Sequence, residues 1–169
     1  ASPRVGPAIS APNSTEEYDG SSWTAGGDLN TTRYKTSCAG QAALTAGVAF
    51  GGYNNPPASM SQATEEYNGT AWTSVNNMLT NLAWHAAQSS GTQTDSLIFG
   101  GYSSTPFSVP TLNTTSFAYD GTNFSTRAAL GTPRGALGGA GATSTSALAI
   151  GGNPNTNKTE EFTGETTSL

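Results

Sequence analysis

Three short apolar runs, each stopped by a pair of glycines, set the rhythm of this chain: Val48-Ala49-Phe50-Gly51-Gly52, Leu97-Ile98-Phe99-Gly100-Gly101 and Leu148-Ala149-Ile150-Gly151-Gly152. Runs this short and bounded by glycine read as strands, and no segment sustains the 3.6-residue apolar period of a helix. Upstream of each lies a weaker strand rich in small residues, over 37–43, 86–90 and 135–142. A second recurring element mixes carboxylates with aromatics. Thr-Glu-Glu-Tyr-Asp-Gly-Ser-Ser-Trp (15–23) and Thr-Glu-Glu-Tyr-Asn-Gly-Thr-Ala-Trp (64–72) are near copies, residues 115–124 are a degraded version, and 159–162 read Thr-Glu-Glu-Phe. Each predicts a β-hairpin, with Asp19-Gly20, Asn68-Gly69 and Asp120-Gly121 expected to take positive φ at both turn centres. The sum is four strands per repeat. Small side chains on the first strand imply that it lies where neighbouring sheets crowd together around an axis.

The spacing separates scaffold from loop. Tyr18 to Tyr67 is 49 residues, Tyr67 to Tyr119 is 52 and Tyr119 to Phe162 is 43. From each aromatic to the next glycine pair the distance is almost fixed, at 33, 33 and 32. The variation falls just after the glycines, in the Pro-, Asn-, Ser- and Thr-rich segments 53–61, 102–113 and 153–158. Those segments read as surface loops, because a scaffold keeps its length while connections tolerate insertion. A period near fifty is the mark of a repeat array whose units bury their apolar faces on one another.

Gly51-Gly52, Tyr67 and Trp72 in one unit, and Gly100-Gly101, Tyr119 and Phe124 in the next, follow an order that resembles kelch repeats. Gly151-Gly152 and Phe162 open a further unit, and Tyr18 and Trp23 finish an earlier one. Arg33 and Arg134 also sit at a kelch-like offset before the glycines, where the middle unit has Leu82. The resemblance spans about residues 14–164. It implies an all-β chain forming a β-propeller of four-stranded antiparallel blades, about 3.4 of them here. The expected single array divides into a partial blade at 1–27, blades at 30–76 and 80–127, and a partial blade at 132–169. The Thr-Glu-Glu-Tyr-x-Gly-x-x-Trp wording further resembles kelch-like arrays of marine phage and environmental bacterial surface proteins. An unclosed array implies either a segment of a longer one or a chain that pairs with a second copy, since open blades expose strand edges and apolar faces.

Composition narrows the function. The net charge is −5, and the six basic residues are scattered singly, so no electrostatic footprint for nucleic acid exists. No run reaches the roughly 18–20 apolar residues of a membrane helix. Residues 1–11 have no apolar core of a signal peptide, so any targeting segment is expected to be removed or to lie outside this sequence. With one histidine, His85, and one cysteine, Cys38, the chain cannot assemble a multi-histidine metal site, and no cofactor is implied. Neither the copper ligands of kelch-type oxidases nor the box of sialidase propellers is present, although Asp19-Gly20-Ser21-Ser22-Trp23 echoes part of the latter. No catalytic residue is expected, and the chain reads as non-enzymatic. Cys38 reads as a small buried hydrophobe.

Several residues remain as candidates for contact. The pairs Glu16-Glu17, Glu65-Glu66 and Glu160-Glu161 admit a carboxylate ring for Ca²⁺ or, more simply, partners for arginines and backbone donors. Trp84-His85 corresponds by offset to Lys35-Thr36 and Gly135-Ala136, so the blade itself does not require an aromatic there. Trp84 is a candidate carbohydrate contact or a spacer between blades or subunits. His85 joins it as a candidate ligand or interface residue, as do Tyr53, Tyr102 and Phe107 on the variable loops. Asn13, Asn30, Asn68, Asn113, Asn123 and Asn157 begin glycosylation sequons. Two function classes follow. One is a structural or adhesive module on a virion, cell surface or extracellular fibre, presenting its loops to a glycan, a receptor or its own copies. The other is an intracellular kelch-type adaptor that binds a protein on one face.

Overall fold

In the computed structural model the described residues are 12–40, 44–54, 59–103, 111–154 and 157–164. Among them the chain is all-β and contains no helix. β1 (Glu16–Tyr18) pairs with β2 (Trp23–Ala25) as an antiparallel hairpin. Next come β3 (Ser37–Ala39), β4 (Val48–Phe50), β5 (Tyr53–Asn54), β6 (Ser59–Met60), β7 (Thr64–Tyr67) and β8 (Trp72–Val75). Of these, β3-β4-β7-β8 form a four-stranded antiparallel sheet, and β5-β6 stand apart as a small hairpin.

The pattern then repeats. The strands are β9 (Ala86–Ala87), β10 (Ser96–Phe99), β11 (Tyr102–Ser103), β12 (Thr111–Leu112), β13 (Ser116–Tyr119) and β14 (Phe124–Arg127). They give the sheet β9-β10-β13-β14 and the hairpin β11-β12. A fourth sheet is three-stranded, β15 (Gly138–Thr143), β16 (Ser146–Ile150) and β17 (Thr159–Phe162). The small-residue strands are thus shorter in the first two cases than 37–43 and 86–90. The segments after the first two glycine pairs are not plain loops but hairpins; Phe107 lies outside the described residues.

Neighbouring sheets share two apolar layers, which is why β10 is apolar at successive positions rather than alternating. Ile98 packs with Val48 and Phe50 of the second sheet, alongside Phe117 and Tyr119. Leu97 and Phe99 turn the other way, onto Ala147 and Ala149 of the fourth sheet. The first strands lie closest together: β9 contacts both β3 and β15. A Cβ on Gly139 would stand 2.2 Å from the carbonyl oxygen of Ala87. Small residues are therefore needed on this strand because backbones of adjacent sheets nearly touch.

The glycine pairs join one sheet to the next. Gly51 and Gly52 hold φ of 52° and 108°. Gly52 donates its N–H to the carbonyl of Leu82 at 2.8 Å, and Gly101 does the same to Arg134 at 2.8 Å. A Cβ on Gly51 would lie 2.6 Å from the Leu82 oxygen, so both left-handed geometry and space demand glycine.

The cassette turns differ from the expectation drawn from Asp-Gly and Asn-Gly. Positive φ occurs at Gly20, Gly69 and Gly121, not at the preceding residue. Pairing of Tyr18 with Trp23, Tyr67 with Trp72 and Tyr119 with Phe124 leaves a longer loop than a two-residue turn. Its first residue works through its side chain instead. Asp19 Oδ1 accepts the N–H groups of Ser21 and Ser22, both at 2.8 Å. Asn68 Oδ1 accepts those of Thr70 and Ala71, and Asp120 Oδ1 those of Thr122 and Asn123. An oxygen that caps two amides replaces the backbone bond of a tight turn. The same bonds hold the Asp19 and Asp120 carboxyls below the usual range.

Candidate functional site

The carboxylates are used between strands and between sheets. Arg33 and Glu65 form an ion pair at 3.0 Å with both side chains fully buried. Glu65 also accepts the backbone N–H of Asn30 at 2.7 Å, while Arg33 donates to the carbonyl of Ala63 at 2.6 Å. The fourth sheet repeats the arrangement: Arg134 pairs with Glu160 at 2.6 Å and donates to the carbonyls of Gly151 and Lys158. Glu160 accepts Gly131 N–H at 2.5 Å. In the third sheet the equivalent positions are Leu82 and Phe117, both buried in one apolar cluster. Ion pair and hydrophobic pair thus replace each other as complete pairs.

A second coupled pair crosses between units. The Tyr67 hydroxyl donates to Glu17, and the Tyr119 hydroxyl donates to Glu66 at 2.8 Å. Both phenols are pushed up. For Tyr67 the main cause is the Glu17 hydrogen bond, and for Tyr119 it is burial followed by Glu66. Where the next unit has Phe162 and no hydroxyl, the facing residue is Ala118 rather than glutamate. These bonds occupy Glu17, Glu65, Glu66 and Glu160, while Glu16 and Glu161 are exposed. The reading as partners for arginines and backbone donors fits Glu65 and Glu160, and Glu17 and Glu66 take tyrosine hydroxyls instead.

Trp84, Tyr53 and Tyr102 are brought together. With Tyr34 their rings form a ledge whose base is the buried Tyr53 and whose half-buried rim is Tyr34, Trp84 and Tyr102. Tyr34–Tyr53 centroids are 5.3 Å apart, Tyr53–Trp84 6.3 Å and Trp84–Tyr102 5.6 Å. Lys35 Nζ lies 3.7 Å from the Trp84 ring centroid and 4.8 Å from that of Tyr34, a cation–π pair whose desolvation lowers the lysine pKa. Lys35, Trp84 and Ala136 all adopt left-handed backbone, with φ of 60°, 54° and 52°. Trp84 N–H donates to the Lys35 carbonyl at 3.1 Å, and Ala136 N–H to the Trp84 carbonyl at 2.8 Å. This ladder corrects the alignment from offsets: Ala136, not Gly135, is the counterpart of Trp84. The one-residue deficit of that unit falls between Ala136 and its glycine pair. The sequence signal for Lys35 is the offset from the glycines that it shares with Trp84; Tyr34, the counterpart of Ala83, carries no such signal.

Beside the ledge, Asn54, Gln62, Asn77 and Asn81 line an open polar groove with Met60 and Ser61. Tyr53 and Tyr102 begin the hairpins β5-β6 and β11-β12, so ledge, groove and variable segments belong to one surface region.

His85 points inward. It is 5% exposed and packs against both Gly51 and Gly101, so it supports the ledge rather than joining it. Burial, then the charge of Arg33, pushes its imidazole down to about 3. The unfolded imidazole titrates near 6.5, so between those values the unfolded chain binds a proton that the folded chain rejects. This contribution to stability is complete above pH 6.5 and declines as pH falls. Between pH 7 and pH 5 the loss is about 2 kcal/mol. Urea midpoints at the two pH values should show it in the parent chain, and His85→Gln should flatten that limb.

Cys38 is exposed between buried Ser37 and Ala39, which corrects its reading as a core residue. Among the sequons, the amide nitrogens of Asn13, Asn30 and Asn113 already donate to Leu29, Trp72 and Ser103 respectively. Asn68, Asn123 and Asn157 are exposed. No helix of the described residues is long and apolar enough to cross a membrane. Comparison with known protein families and with curated proteins gave no match.

Proposed function

We propose that this chain is a non-catalytic adhesive module, a kelch-like β-propeller array that presents the Trp84 ledge and its flanking hairpins to a glycan. The observation that carries the reading is the convergence of Tyr34, Tyr53, Trp84 and Tyr102 beside the amide-lined groove. Aromatic faces suit the apolar faces of sugar rings, and Asn and Gln amides both donate and accept, as sugar hydroxyls require. The propeller reading is supported by the succession of antiparallel four-stranded sheets and by the approach of their first strands. The structural use of the carboxylates supports the non-catalytic part. The surface of a virion, cell or extracellular fibre is the setting this reading favours.

Binding to an immobilised glycan panel tests it. The parent chain should retain a defined subset of sugars, and Trp84→Ala should weaken that binding at least tenfold while the melting temperature shows the sheets intact. Replacing β5-β6 and β11-β12 with short Gly-Ser turns should change which sugars bind. Equal binding by the parent chain and Trp84→Ala would remove the ledge from recognition.

A further inference from the structure

Each internal junction between sheets has two complementary sides, and the outer sheets expose one side each. On the first side, in the second and third sheets, a tyrosine and its cross-strand aromatic face the preceding unit; in the fourth sheet Phe162 takes the tyrosine's place. Tyr67 reaches Glu17, Trp72 Nε1 reaches Thr15 Oγ1 at 3.4 Å, and Tyr119 reaches Glu66. On the second side, the strand before the glycines and the second glutamate face the following unit. In the second sheet that side is Val48, Phe50 and Glu66, and Val48 and Phe50 are completely buried by the third sheet. The counterparts on the outer surfaces have nothing over them among the described residues. Tyr18 is 46% exposed and Trp23 65%, against 6% for Tyr67 and 1% for Tyr119. At the other end, Leu148 is 36% exposed and Ile150 44%, against 0% for Val48 and Phe50. Glu161, cross-strand from Leu148 as Glu66 is from Val48, is likewise exposed.

We infer that these two surfaces bind each other between copies of this chain, head to tail, with the Tyr18 hydroxyl donating to Glu161 of a second copy. Trp23 then covers Leu148 and Ile150, and its Nε1 faces Thr159, the counterpart of Thr15. The occupant is a second copy because the complementary surface is present on this chain and its bonding pattern is already used within it. The two surfaces differ, so the contact is heterologous, and copies close into a ring or continue as a chain. The inference rests on reading the sheets as successive units of one array; it does not depend on the glycan ledge.

Sedimentation velocity of the whole chain across micromolar concentrations tests it, with one surface blocked at a time. Trp23→Asp and Ile150→Asp change exposed side chains, and circular dichroism and melting temperature verify folding. Each variant alone should associate at least tenfold more weakly than the parent. Mixed together they should form a single heterodimer, because one retains a free head and the other a free tail. Tyr18→Phe alone, or Glu161→Ala alone, should weaken association roughly tenfold by leaving a polar group without its partner. The double variant should recover most of that loss, since Ala118 and Phe162 form this very pair inside the chain. A parent chain that stays monomeric overturns the inference, as does self-association of Trp23→Asp at parental strength. Glycan binding by a monomeric chain would leave the proposed function standing without this contact, and head-to-tail pairing without glycan binding would do the reverse.

Discussion

Glu65→Ala is expected to destabilise the fold by about 3–5 kcal/mol, because it strands Arg33 in a fully buried site without its counter-ion. It also removes the acceptor for the N–H groups of Asn30 and Thr31. Changing both partners at once should cost far less. Arg33→Leu with Glu65→Phe installs the pair that the third sheet already uses, Leu82 with Phe117, in a neighbouring copy of the same backbone. A buried ion pair exchanged for a well-packed apolar pair is often neutral, while half an exchange is not. Urea unfolding of the two single variants and the double variant checks this. If Glu65→Ala is as mild as the double exchange, the pair does not carry the role assigned here.

Tyr119→Ala should cost about 3–5 kcal/mol, the usual range for a buried aromatic truncated in a core. The ring is 1% exposed, lies edge-on to Phe50 with centroids 5.7 Å apart, and packs on Phe124 at 4.7 Å. The loss falls on the junction between the second and third sheets. Tyr119→Phe isolates the hydroxyl: Glu66 loses its donor, and roughly 1–2 kcal/mol should go with it. Adding Glu66→Ala should return part of that cost, by the logic of Ala118 and Phe162. Thermal melts of the three variants would decide it, and a Tyr119→Phe chain as stable as the parent would place Glu66 in solvent.

Trp72 shows how a strong sequence signal can point to the right element and still misstate its environment. The cassette places it opposite Tyr67, where it is found, with ring centroids 5.0 Å apart. The cassette predicts burial between or within blades for both; Tyr67 is buried, but Trp72 is only half-buried. It lies on β8, an edge strand of its sheet, so one side of the ring has no strand beyond it. The Asp-Gly turns are similar. Their location follows from composition, whereas the choice between a left-handed aspartate and a side-chain cap depends on loop length and pairing register.

Legible in the sequence alone were the four main strands of the two complete repeats and their antiparallel pairing, together with the places where length varies. These follow from local periodicity, glycine placement and spacing, all of which act within one unit. The hairpins β5-β6 and β11-β12 that occupy the variable places were not legible. Which residues complete one another, between strands of one unit or between units, was settled by the three-dimensional packing. Arg33 with Glu65, Glu66 with Tyr119, Tyr53 with Trp84, and Trp84 with Tyr102 are 32, 53, 31 and 18 positions apart, at no common interval. They meet because neighbouring sheets approach closely enough to exclude water, and a polar group buried there must find its partner in the adjoining strand or sheet.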